Sequence, residues 1–124
     1  MKDGKFRVGF DIGGVISKYP DIMKALMRAL AVSPEHEVFV ITDMPRAVAE
    51  KALAANDIPC DDEHLLCCDF GAHQDMCKAI MAETHGIDMM IDDRPDYVAT
   101  GFPLGLIVSP RPALPYEASS WKKP

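Results

Sequence analysis

Short apolar runs alternate with segments of helical period along nearly all of this 124-residue chain, and that alternation limits the possible folds more than any other feature. The runs at residues 6–10 (FRVGF), 37–42 (EVFVIT), 64–68 (HLLCC), 87–91 and 104–108 have strand length and are rich in aliphatic, β-branched or aromatic side chains. After the first run, Pro20-Asp21 suits a helix start. Ile22, Leu26 and Leu30, with Met23 and Met27, form an apolar stripe at helical spacing. Lys24 and Arg28 lie off that stripe, and Ser33-Pro34 ends the helix. Met44-Pro45 opens a second helix that stops near Asn56. A third covers 73–85, with Met76, Cys77, Ile80 and Met81 as its stripe and Gly86 as its stop. Strands that are apolar on both faces belong in a parallel sheet held between helical layers. The expectation is an α/β fold, a three-layer, Rossmann-like, five-stranded parallel sheet with flanking helices over residues 1–109. A proline-punctuated tail, 110–124, follows and shows no helical or strand period.

A chain of this length supports one core and not two. Hydrophobic residues at 48% and charged residues at 26% place it among ordinary globular chains rather than disordered ones. A net charge of −6 argues against a general nucleic-acid or anionic-membrane binder. Phosphorylated substrates stay open, because a bound divalent cation reverses the field locally. No apolar run reaches the ~20 residues that cross a bilayer and no signal-peptide pattern opens the sequence, so the expected location is the cytoplasm. Cys60, Cys67, Cys68 and Cys77 lack the paired spacing of a zinc site and read as reduced, buried thiols.

The polar residues at the strand ends carry the chemistry. The first run ends in Asp11 followed by Ile12-Gly13-Gly14, the second in Thr42, the fourth in Asp92-Asp93. In a parallel sheet these ends share one edge, the edge where open α/β sheets bind ligands. Each residue also has a plain structural reading. Thr42-Asp43 before Met44-Pro45 fits a helix cap, and Asp92-Asp93-Arg94-Pro95 fits a solvated turn held by an ion pair.

Asp11 on its glycine turn, Thr42 and the string MMIDDRPD together resemble the motifs of the haloacid dehalogenase superfamily, and the last is similar to the fourth motif of its 5'(3')-deoxyribonucleotidases. The resemblance spans roughly residues 6–109. It implies Asp11 as a nucleophile that forms an aspartyl-phosphate and Thr42 as a holder of phosphoryl oxygens. It further implies a Mg2+ site made by Asp11, Asp92, Asp93 and the Gly13 carbonyl. The implied partner is a phosphorylated small molecule or a phosphorylated macromolecule.

Two positions depart from that pattern. Gly13 stands where the superfamily's phosphatases carry a second Asp as general acid, a group worth ~10²–10⁴-fold in rate. The basic third-motif residue has two candidates, His73 and Lys78. At 100° per residue Lys78 lies about 130° from the centre of the third helix's stripe, so it reads as a solvated charge and His73 as the better placed. The linkers at 12–36 and 69–73 are too short for a cap domain, so selection falls to an oligomeric neighbour, the tail or a large substrate. The open site, with Leu114, Tyr116 and Trp121 in the tail, suggests a homo-oligomer. A catalytically degenerate domain that keeps the metal site and binds a phosphorylated ligand or a protein stays open beside the enzyme. A receiver domain fits less well, lacking an acid pair after the first strand and a Lys after the fifth.

Overall fold

The computed structural model describes residues 4–68, 77–99 and 102–108. Five parallel strands, β1 (Phe6–Phe10), β2 (His36–Thr42), β3 (Leu65–Cys67), β4 (Met89–Asp92) and β5 (Leu104–Ile107), form one sheet in the order β3-β2-β1-β4-β5. Helices α1 (Pro20–Val32), α2 (Arg46–Ala55), α3 (Cys77–His85) and α4 (Pro95–Ala99) alternate with them. The expected three-layer α/β fold is the one observed, and among the described residues only one turn and α1 separate β1 from β2. Among the same residues no helix is long and apolar enough to cross a membrane. The tail, 110–124, lies outside the described residues.

Burial follows the two-sided logic of a parallel sheet. On one face Val8, Phe10, Val40 and Ile91 pack with Met23 and Met27 of α1 and with Ala49 and Leu53 of α2. On the other, Phe39, Ile41 and Met90 pack with Ala82 of α3. Alternate residues of β2 thus serve opposite layers, as a strand's period of two requires. In α1 the buried stripe is Met23 and Met27 with Leu30 beside it, whereas Ile22 and Leu26 are exposed. The stripe expected from sequence was one residue too wide, because a helix against a sheet buries a narrower arc than its apolar residues cover. A short helical turn over Asp62–His64 occupies the start of the expected third strand, and α4 occupies part of a stretch with no helix expected. Pro95 at the first position of α4, directly after Asp-Asp-Arg, is its start signal.

A network of charges ties the amino edge together. Arg7 Nε donates to Glu37 Oε1 (2.9 Å), and Arg7 Nη1 donates to the His85 carbonyl (2.7 Å). The His64 ring meets Glu37 Oε2 through Nε2 (2.7 Å) and Asp61 Oδ1 through Nδ1. Burial works against a charge on His64, but hydrogen bonds to Asp61 and Glu37 outweigh it and hold the pKa above its ordinary 6.5. A carboxylate on each ring nitrogen favours the imidazolium form, in which both nitrogens donate.

Candidate functional site

Asp11 follows β1 directly and its backbone is held from two sides. Its N–H donates to the Ile91 carbonyl of β4 (3.0 Å), and its carbonyl accepts from Ile16 N–H (3.3 Å) across a wide helical turn, Ile12–Ile16. Gly14 in that turn has φ 75, and a Cβ there would lie 2.1 Å from Asp93 Oδ2. The missing side chain is therefore the seat of the Asp93 carboxylate. Gly13 is different. Its φ is −66, and a Cβ would meet only Met44 Cε at 3.8 Å. No backbone constraint demands glycine at position 13.

The structure brings Asp11, Asp92 and Asp93 together, with one carboxylate oxygen of each within 4.8 Å of the others. It also brings in Lys78, contrary to the expectation of a solvated charge. Lys78 is 1% exposed, and its Nζ lies 2.8 Å from Asp11 Oδ1 and 2.6 Å from Asp92 Oδ2. The buried face of α3 runs through Lys78 and Ala82, so it is rotated from the apolar stripe read in the sequence. A hydrophobic stripe predicts a buried face only when burial is apolar. Here two carboxylates replace the water that an ammonium would otherwise keep. The Tyr97 ring of α4 adds a third wall, its centroid 4.9 Å from Lys78 Nζ. Sequence reasoning missed Tyr97, whose only signal was the Pro95 helix start. His73, the other candidate for this role, lies outside the described residues.

The remaining residues fill the edge. Asp92 ends β4, accepting from Lys78 at Oδ2 and from Arg94 N–H at Oδ1 (3.2 Å). Thr42 ends β2, fully buried, and its Oγ1 accepts from Met44 N–H (3.1 Å). Thr42 therefore holds the turn before α2 rather than capping the helix, whose N-cap is Pro45 with no side-chain cap bond; accepting at Oγ1 leaves a hydroxyl its own hydrogen to donate. Arg94 pairs with Asp96 (2.6 Å), stacks 4.0 Å from the Tyr97 ring centroid and donates to Tyr97 Oη (3.1 Å), so the Asp-Asp-Arg-Pro turn also holds an ion pair. Gly13 lies two residues after Asp11, in the turn that carries the Asp93 seat.

Electrostatics set the site apart. Burial pushes Asp11 up to about 7; Lys78 pulls it down and Asp92 raises it further. Burial and then Asp92 raise Asp93 as well. Lys78 is held above its ordinary value, because Asp11 and Asp92 outweigh the burial that opposes its charge. Among the described residues three carboxylates face one ammonium, an all-oxygen donor set with more acids than cations. Such a set suits a hard divalent cation better than a soft one. Comparison with protein-family models, with curated proteins and with solved structures returns no match for this chain.

Proposed function

We propose that this protein is a Mg2+-dependent phosphohydrolase or phosphotransferase of the haloacid dehalogenase type, acting through an aspartyl-phosphate on Asp11. One observation carries the reading: a buried Asp11–Lys78–Asp92 triad with Asp93 beside it, at the carboxyl edge of a parallel sheet. Asp11, Asp92 and Asp93 would hold the cation, which supplies charge neutralisation for the approach of a carboxylate to a phosphate. Lys78 fixes one Asp11 oxygen and keeps a positive charge beside the position of attack. An Asp11 oxygen then bonds to phosphorus as the leaving oxygen departs, and water or an acceptor alcohol reverses the exchange in a second displacement. Thr42, at the neighbouring strand end, has a hydroxyl hydrogen for a phosphoryl oxygen.

Gly13 places no acid at the leaving group. Wild-type rates should therefore fall steeply as the leaving group becomes more basic, with nitrophenyl phosphate ahead of a nucleoside monophosphate by up to ~10²–10⁴-fold. Because position 13 accepts a side chain, Gly13→Asp should fold and recover part of that gap for the alkyl ester alone. The test is phosphate release with and without Mg2+ for wild type, Asp11→Asn and Gly13→Asp. Release by Asp11→Asn equal to wild type overturns the reading. Gly13 also favours a second reading, a binding domain that holds the metal and a phosphorylated ligand or protein partner without turnover. Mg2+ binding with no release from either substrate selects it.

A further inference from the structure

Lys78 is held on three sides, and only two of them are charged. Its Nζ lies 2.8 Å from Asp11 Oδ1 and 2.6 Å from Asp92 Oδ2, so two carboxylates account for two of its three hydrogens. The third side is the Tyr97 ring, with its centroid 4.9 Å from Nζ. At 1% exposure the ammonium has next to no water to make good a poor contact. An aromatic face attracts a cation most strongly in such a dry place.

The ring is itself fixed. Tyr97 is buried, and its Oη accepts from Arg94 Nη1 (3.1 Å) while reaching toward Asp43 Oδ2 (3.4 Å). Arg94 Cζ also stands 4.0 Å from the ring centroid. One residue on, Val98 occupies the space that a Cβ on Gly105 would take, which seats α4 on β5. Because β1 lies between β2 and β4, Asp43 and α4 belong to strand ends roughly 9–10 Å apart. The Tyr97 side chain crosses that gap beside the end of β1, where Asp11 stands.

The two kinds of wall respond differently to phosphoryl transfer. Once an Asp11 oxygen is bonded to phosphorus, its carboxylate charge is gone, and with it part of the attraction on Lys78. The attraction of the ring does not change, because no bond of the ring is made or broken. We propose that Tyr97 is a positioning residue for Lys78, its ring holding the ammonium against Asp11 through both displacements. The consequence for rate rests on the phosphoryl-transfer reading, whereas the hold on Lys78 does not.

The experiment records proton–nitrogen spectra of the lysine ammonium groups in the full 15N-labelled chain without Mg2+, beside nitrophenyl phosphate kinetics with it. Wild type should show an exchange-protected ammonium, assigned by its loss in Lys78→Arg. That signal should be displaced upfield and show a through-space proton contact to the Tyr97 ring. Tyr97→Phe should keep these features and stay within about 3-fold of wild type in kcat. Tyr97→Leu, or Tyr97→Met if the first does not fold, should lose both the displacement and the protection. Its kcat should fall about 10-fold at an unchanged KM, the scale of one desolvated cation–π contact. A wild-type ammonium without contact to the ring overturns the proposal. So does protection kept in Tyr97→Leu, Tyr97→Phe as impaired as Tyr97→Leu, or a kcat that stays put when the protection is lost. No phosphate release by wild type overturns the phosphoryl-transfer reading, and the ammonium spectrum still decides the hold of Tyr97 on Lys78.

Discussion

The two ends of this sheet hold clusters of the same residue types with opposite balance. At the amino edge Arg7 and the His64 imidazolium meet Glu37 and Asp61, two positive groups for two negative. At the carboxyl edge Lys78 is the one cation among the described residues that pairs with the Asp11, Asp92 and Asp93 cluster. The first cluster closes on itself: Glu37, against its partial burial, and the exposed Asp61 are both held below their ordinary pKa, chiefly through the His64 hydrogen bonds. The second does not close, and Asp11 and Asp93 are driven upward, first by burial. Two carboxylates at 4.8 Å repel by about 3–4 kcal/mol at an effective dielectric of ~20. The lesson is that charge count alone does not mark a site. A balanced cluster fastens elements together, whereas an unbalanced buried one has a place for a further cation.

The sharpest way to break the contrast is Lys78→Met. Removing the ammonium that pairs with Asp11 and Asp92 should cost about 3–5 kcal/mol in urea unfolding without metal. Millimolar Mg2+ should return a large part of that loss, since it supplies positive charge at the same acids. Stability equal to wild type without metal would show that the cluster does not depend on this pair.

Next in size is the metal effect itself. Mg2+ should raise the Tm of the wild type, with about 2.7 kcal/mol gained at a hundredfold excess over Kd. Asp11, with its pKa raised from 3.8 to about 7, is an acid that the fold prefers protonated. Metal-free stability therefore falls as pH rises from 3.8 through about 7 on account of this group, and the Mg2+ gain grows over the same interval. Melting curves at pH 5.5 and pH 8 should differ in that sense, and Asp92→Asn should remove most of the gain. A Tm indifferent to Mg2+ at both pH values would leave the carboxyl edge as closed as the amino edge.

A smaller effect separates the two adjacent glycines. Gly14→Ala should cost about 1–2 kcal/mol for its positive φ and weaken Mg2+ binding by displacing Asp93. Gly13→Ala, with ordinary φ and open space, should be neutral or gain about 0.4–1 kcal/mol. Unfolding curves with a Mg2+ titration check both. The smallest effect belongs to the balanced edge. His64, held above 6.5, contributes fully below that pH and loses its contribution as pH rises through its folded pKa. Glu37, held below 4.5, loses its contribution as pH falls through its folded pKa. The stability gap between wild type and His64→Gln should thus be widest between pH 4.5 and 6.5, shrink on either side, and ignore Mg2+.

The strand ends were readable from local pattern. Phe6–Phe10 is continuous in apolar character and stops at a glycine turn, and Met89–Asp92 runs from methionines into acids, so Asp11 and Asp92 fall where a strand stops. Parallel pairing then carried both to one edge, since strands entering a parallel sheet in the same sense leave on the same side. Thr42 came with them for the same reason.

Three features lay beyond local pattern. Helix α1 turned Ile22 and Leu26 outward although their spacing fits the buried stripe, because the sheet covers only one arc of the helix. Gly14 was legible as a turn residue, but its role as the seat of Asp93 depends on a loop far along the chain. Lys78 was misread as a surface charge, since hydrophobic periodicity registers only the burial of apolar area. What buries an ammonium is the sum of attractions from Asp11 just after one strand and Asp92 at the end of another, weighed against lost hydration. That sum does not exist until β1, β4 and α3 have met. Period and turn chemistry are local, so they survive in the sequence; the energy of a buried charge is a property of the assembled edge.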